Sequence, residues 1–169
     1  YLVGGGDAML SEGTGDSSAI VGHAGLAELA DQAAAELKDA GTTNVDLVVD
    51  SSLFTGPLYH PEVEGPDTIY IMQMRPIAVD LSRDDSGAFT ADPDLRALDD
   101  FAARLKERGI TANVKGRSEA PETAKVMGSV ESASVRELVD YMLTESDNTT
   151  ADVLGHLVVA GGDEDQGAG

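Results

Sequence analysis

The sequence predicts an α/β fold: a small doubly wound layer of parallel strands followed by a pair of helices. Three observations carry this. Leu26, Leu29, Ala30, Ala33, Ala34 and Leu37 recur at helical spacing, and Val45-Asp46-Leu47-Val48-Val49 follows as a nearly continuous apolar run, the pattern of a strand buried on both faces. The same unit recurs when Leu95, Leu98, Phe101, Ala102 and Leu105 lead into a short strand pattern at 111–114. Finally, two apolar stripes at helical spacing flank a polar stretch at residues 145–152, which places two core-facing helices around a short loop.

Length and charge narrow the function. The chain has 169 residues, of which 41% are hydrophobic, enough for one ordinary domain or two small ones with packed cores. Asp and Glu number 31 against 11 Lys and Arg, a formal charge of −20 spread along the sequence. Such a field repels phosphate backbones and argues against nucleic-acid binding. The few cations, around Arg104, Lys106, Arg108, Lys115 and Arg117, read as a solvated helix face and loop. The sequence has no cysteine, so disulfides, thiolate metal sites and a cysteine nucleophile are excluded. No carboxylate or histidine spacing calls for a metal, and no cofactor is implied. No apolar run approaches the length of about 18 residues that a membrane span needs. Tyr1 lies inside what reads as a strand, and 161–169 read as a loop-like tail, so both ends are expected to be cut from a longer polypeptide.

In chain order, Tyr1-Leu2-Val3 predicts a strand and Gly4-Gly5-Gly6-Asp7 a permissive turn. A dinucleotide fingerprint would need a further glycine at position 9, which is Met9. Residues 11–25 form a loop holding His23, which reads as a loop residue and not a metal ligand. The helix from about 26 to 40 stops at Gly41, and with the strands on either side it makes a βαβ unit. A turn-rich loop leaves the second strand from Asp50. Residues 69–81 predict another strand, interrupted by Arg75-Pro76. Asp92-Pro93-Asp94 opens a helix with a cap, a proline at the first position and an acid in the first turn, and Gly109 ends it. After a polar loop at 116–123, residues 125–130 predict a strand, and Ser134-Val135-Arg136-Glu137 is a capping box that launches the next helix. His156 and Asp152 on the last helix are spaced for a structural i, i+4 contact.

The polar stretch between the last helices contains Ser146-Asp147-Asn148. Ser146 and Asn148 can point the same way, setting a proton-relaying hydroxyl beside an amide that donates and accepts. Ser-Asp-Asn is one of three signatures of penicillin-recognising serine enzymes, the others being Ser-x-x-Lys and Lys-Thr-Gly. Taken alone, so short a match is more economically read as a cap: Ser146 or Asn148 could cap the following helix, and Thr149-Thr150-Ala151-Asp152 fits a capping box.

Three ordered segments change that weighting. Leu2-Val3-Gly4-Gly5-Gly6-Asp7 with Leu10-Ser11, then Asp46-Leu47-Val48-Val49-Asp50-Ser51-Ser52-Leu53-Phe54, then the run from Glu137-Leu138-Val139 through Thr144-Glu145-Ser146-Asp147-Asn148 together resemble the class C low-molecular-mass penicillin-binding proteins. These are serine-type D-alanyl-D-alanine carboxypeptidases and endopeptidases of the bacterial cell envelope. The resemblance implies a β-lactamase-like catalytic domain interrupted by a long, partly Rossmann-like insertion. On that basis residues 1–130 are expected to be the inserted α/β region, with a strand entering from the catalytic domain. Residues 131–169 are expected to be a helical segment of the catalytic domain. It further implies that Ser146 relays a proton between lysines and leaving group, that Asn148 holds the substrate's peptide carbonyl, and that the partners are peptidoglycan stem peptides and β-lactams outside the cytoplasmic membrane. Asp147 holds a variable position and receives no chemical role.

The departures are as informative. No Ser-x-x-Lys occurs in the chain, and no Lys-Thr-Gly or His-Thr-Gly follows Asn148. Acyl transfer needs a nucleophile, a base and an oxyanion hole, so the isolated chain is expected to be an inactive fragment. Two other readings stand beside this one: a β-lactamase or esterase of the same superfamily, and a non-catalytic acidic α/β binding module in which the trio is only a cap.

Overall fold

The computed structural model describes residues 1–63 and 65–165. The fold is α/β, with parallel strands in small sheets and flanking helices, as expected. Strands β1 (Leu2–Val3), β3 (Asn44–Asp50) and β5 (Thr111–Arg117) form one parallel sheet in that order; β2 (Asp7–Leu10) and β4 (Ile77–Val79) form a second parallel pair. The helices are α1 (Leu26–Asp39), α2 (Pro93–Glu107), α3 (Val135–Glu145) and α4 (Asn148–Asp165). Among the described residues, no helix is long and apolar enough to cross a membrane.

A strand order that advances in one direction, with right-handed crossovers, puts both connecting helices on one face of the sheet. The core agrees: Leu26, Ala30 and Ala34 of α1 and Leu98, Phe101 and Leu105 of α2 share one buried cluster with Leu47 and Val49 of β3. The sheet is therefore covered by helices on one side and is not doubly wound. The predicted α1 and α2 form because their apolar residues recur at helical spacing, and glycines in the left-handed region, Gly41 (φ +70) and Gly109 (φ +79), follow them.

Close packing explains two of the three consecutive glycines. Gly6 has φ +94, and a Cβ there would lie 2.5 Å from Leu157 Cδ2 of α4. A Cβ on Gly4 would lie 2.8 Å from Pro76 Cγ, and the Gly6 N–H donates to the Pro76 carbonyl at 2.6 Å. Only glycine lets the backbone come this close to both neighbours. The turn hands the chain straight into β2, whose residues 8–10 the sequence pattern assigns to no element. Ala8 of β2, Ala78 of β4, Met72, Met74 and Val153 of α4 make the second cluster; Met9, Leu81, Ala133 and Leu138 make a third beneath α3.

Other expectations are corrected. Of residues 69–81 only Ile77–Val79 is strand: Gly65–Tyr70 winds into a 3₁₀ turn, and Arg75-Pro76 interrupts the ladder. Residues 125–130 are not a strand. Their backbone is held by a side chain, since the Ser129 N–H donates to Gln32 Oε1 and Gln32 Nε2 donates to the Ser129 carbonyl, both at 3.0 Å. Asp92 does not cap α2: it sits in the left-handed region (φ 51), its side chain makes no cap bond, and its carboxylate pairs with Arg117. Gly161, read as the start of a loop, lies within α4, whose helix runs to Asp165; residues 166–169 of that predicted tail lie outside the described residues.

Arg117 is also not a solvated loop cation. Its Nε and Nη2 donate to Asp94 Oδ2 and Oδ1, both at 2.7 Å, while Ser51 Oγ donates to Asp94 Oδ2 at 2.7 Å. Arg75 Nε adds a second cation at 3.6 Å from a carboxylate that is fully buried. Burial pushes the Asp94 carboxyl up, but hydrogen bonds from Arg117 and Ser51 outweigh it and hold the group below the usual aspartate range. This cluster ties the end of β3, the start of α2, the end of β5 and the segment before β4 to one point.

Candidate active site

The α3–α4 hairpin carries the candidate site. α3 starts at the predicted capping box: the Glu137 N–H donates to Ser134 Oγ at 3.4 Å, and the Ser134 N–H donates to Glu137 Oε2 at 2.9 Å. It ends at Ser146, which takes the left-handed conformation (φ 54, ψ 43) usually filled by glycine and returns its N–H to the Met142 carbonyl. α4 begins two residues later, at Asn148. Ser146 and Asp147 are the whole connection between two helices.

The capping role falls to neither residue the sequence suggested. Asp147 Oδ1 accepts both the Thr150 N–H and the Thr150 hydroxyl, each at 2.7 Å, so Asp147 is the N-cap of α4 and Thr150 its third residue. The proposed box at Thr149-Thr150-Ala151-Asp152 lies inside the helix instead. Asp147 turns inward to do this, while Ser146 and Asn148 on either side are exposed. Among the described residues, Ser146 Oγ makes no hydrogen bond, and Asn148 makes one side-chain bond, from Nδ2 to the Tyr70 carbonyl at 3.4 Å. A hydroxyl and a carboxamide thus stand together on solvent, with the carboxamide oxygen unused.

The hairpin is held from below. Thr149 and Thr150 are buried, and Thr149 Oγ1 accepts the Met72 N–H at 3.3 Å. Val153 and Leu157 enter the cluster of β2 and β4, and Leu154 enters the cluster around Leu81 and Leu138. Burial, followed by the nearby charges of Asp147 and Glu145, pushes the Tyr141 hydroxyl up, which keeps it protonated beside the loop. His156 meets its own helix, with Nδ1 2.9 Å from the Asp152 carbonyl and 3.5 Å from Asp152 Oδ1, the structural contact expected. Its ring lies 5.1 Å from that of Phe54. Ser52, Leu53, Phe54 and Thr55, from the loop after β3, line a groove of about 510 Å³ against Gly155, His156, Val159 and Ala160 of α4. Gly155 is seven residues past Asn148, roughly 10 Å along the helix. His23 makes a local contact, its Nδ1 lying 2.9 Å from the Ala19 carbonyl.

The sequence reading missed Tyr70, Met72 and Thr149. The contacts join residues 77 and 78 positions apart, and the groups from Tyr70 and Met72 are main-chain atoms, which no residue type announces.

A model of the family described as D-Ala-D-Ala carboxypeptidase 3 (S13) matches residues 77–167, more than half of the chain, from β4 through α4. No curated protein and no solved structure matches the chain.

Proposed function

The chain belongs to the D-Ala-D-Ala carboxypeptidase 3 (S13) family of peptidases, and from that premise we propose that it is part of a class C penicillin-binding protein in which Ser146 and Asn148 serve the active site. The parent would act on peptidoglycan stem peptides outside the cytoplasmic membrane, through an acyl-enzyme whose nucleophile and base come from sequence that this chain does not contain. Residues 131–169 would then belong to the catalytic domain and 1–130 to an insertion in it, with β2 and β4 as the seat on which the α3–α4 hairpin rests.

One observation supports this above the rest: Asp147 does the capping that would otherwise explain the trio. With the helix start satisfied by Asp147, stability gives no reason for a free hydroxyl at 146 in a conformation glycine would take at lower cost, or for an exposed amide at 148. Chemistry does. A hydroxyl can pass a proton between a base and the departing amine, since it donates and accepts at once. A carboxamide can offer an N–H to the substrate's carbonyl and its oxygen to a cation or N–H opposite.

The test uses intact mass after exposure to benzylpenicillin. The 169-residue chain gains no adduct, because it has no Ser-x-x-Lys. A longer polypeptide that supplies Ser-x-x-Lys before this chain and Lys-Thr-Gly after it gains one stoichiometric adduct. Ser146→Ala slows that acylation by on the order of 10²-fold, the usual effect of losing a proton relay. Acylation of the short chain, or a folded longer chain that never labels, rejects the proposal.

A further inference from the structure

We propose that the segment from Tyr70 to Met72 is the positioning element of the Ser146–Asn148 loop, with the Tyr70 carbonyl setting which way the Asn148 carboxamide is turned and Thr149 holding that carbonyl in place. The inference rests on the proposed role of Asn148 and deepens it.

A carboxamide has two ends of nearly equal size, one that donates and one that accepts, and it interchanges them by rotating half a turn. On an exposed side chain nothing steric prevents that rotation, and a site that must donate to a substrate carbonyl works in only one of the two states. A main-chain carbonyl settles the choice because it can only accept. Tyr70 O lies 3.4 Å from Asn148 Nδ2, so the amino end faces Tyr70 and the oxygen faces away. One N–H is committed to Tyr70, and the second N–H and Oδ1 are left in fixed directions.

Tyr70 can do this only if it is itself fixed. Two residues on, the Met72 N–H donates to Thr149 Oγ1 at 3.3 Å, and both residues are fully buried, with relative exposures of 0% and 1%. That bond registers the segment against the first turn of α4, so that Tyr70 and Asn148 face each other. The far end is anchored to the α/β layer: Gln73 Oε1 accepts the Asp92 N–H at 3.0 Å, the Met74 N–H donates to the Leu58 carbonyl at 2.7 Å, and Arg75 reaches Asp94. The segment is thus held between α2 and α4, and Tyr70 itself, at 62% exposure, contributes little packing to keep it there.

Thr149→Val keeps the buried shape and deletes the acceptor; Thr149→Ser restores it. In amide-resolved NMR of the 169-residue chain, Thr149→Val speeds exchange of the Met72 N–H by about tenfold or more and moves the two Asn148 carboxamide protons toward their free positions, and Thr149→Ser reverses both. In the longer, penicillin-reactive polypeptide, Thr149→Val slows acylation by about fivefold, the scale of one neutral hydrogen bond, and Thr149→Ser recovers it. Unchanged Asn148 signals in a folded Thr149→Val chain, or acylation at the parent rate, overturn the proposal. Should Thr149→Val not fold, Asn148→Leu on the exposed surface decides instead. The Ile71 amide, which shares a peptide unit with the Tyr70 carbonyl, shifts if the bond exists, and an unmoved signal overturns the proposal. Failure of the unsubstituted longer polypeptide to label rejects the function proposed above, while the NMR comparison still decides the positioning by itself.

Discussion

Replacing Asp94 by Asn tests whether the buried carboxylate is a fastening or an incidental ion pair. The substitution keeps the volume and removes the charge. Asp94 is fully buried, accepts two bonds from Arg117 and one from Ser51, and faces Arg75. Hydrogen bonds to charged groups contribute about 1.5–3 kcal/mol each. Arg117 keeps about a third of its side-chain surface in water, at 34% exposure, so solvent replaces part of what is lost there. Arg75 Nε, already buried without a hydrogen-bond partner among the described residues, loses the charge facing it. The expected cost is about 2–4 kcal/mol, between a surface pair and the roughly 3–5 kcal/mol of breaking a fully buried one. For a chain of this length that lowers Tm by roughly 5–15 °C, at about 2–4 °C per kcal/mol. Urea unfolding at pH 7 measures it. The pH dependence carries a sign. Because the folded carboxyl sits below its unfolded value, its stabilisation is fully present above about pH 4, near the unfolded aspartate value, and is lost as pH falls through the folded value. The Asp94→Asn chain therefore lacks that part of the acid loss, and the two stability curves converge as pH drops. A variant within about 0.5 kcal/mol of the parent at pH 7, or curves that stay parallel into acid, would refute the reasoning.

Two more substitutions probe the hairpin and its seat. Ser146→Gly removes the left-handed strain of a non-glycine residue, stabilising the chain by about 1 kcal/mol and raising Tm by roughly 2–4 °C, while in the longer polypeptide it slows penicillin acylation; a lowered Tm in differential scanning calorimetry would contradict the conformational account. Gly6→Ala adds a methyl in the left-handed region against Leu157 and costs about 1–3 kcal/mol. Gly5→Ala beside it, where a Cβ meets nothing within 4 Å, changes stability by less than about 0.5 kcal/mol, and equal effects at the two positions would rule out close approach as the reason for the glycines.

What the sequence made legible was local. The periods of α1 and α2, the Ser134 box, β3 and β5 each declare themselves within a dozen residues, and local pattern is what side-chain spacing encodes. β2 was hidden because four residues, Asp7-Ala8-Met9-Leu10, are too few to show alternation, and their partner lies about 70 positions away. Residues 125–130 have the composition of a strand but pair with Gln32, a side chain that no strand pattern can foresee. Arg117 looked like a loop cation because its partner carboxylates precede it by more than 20 residues. At the site, the trio was visible and its division of labour was not. Ser, Asp and Asn are almost equal as caps, and only the fold decides that Asp147 turns inward and leaves its neighbours on the surface.

The contact between Gly6 and Leu157 has a mechanical meaning beyond its packing. Leu157 stands nine residues past Asn148, roughly 14 Å along α4, and between these points the helix is stiff. The bare glycine backbone acts as a bearing on which this rod rests, and the two-residue connection to α3 leaves no slack at its tip. Thr149, Val153 and Leu154 seat the same rod between these points, so it is fixed along its length to the strands and segment beneath it. Residues near the start of the chain therefore help to seat the helix that carries Asn148 near its end.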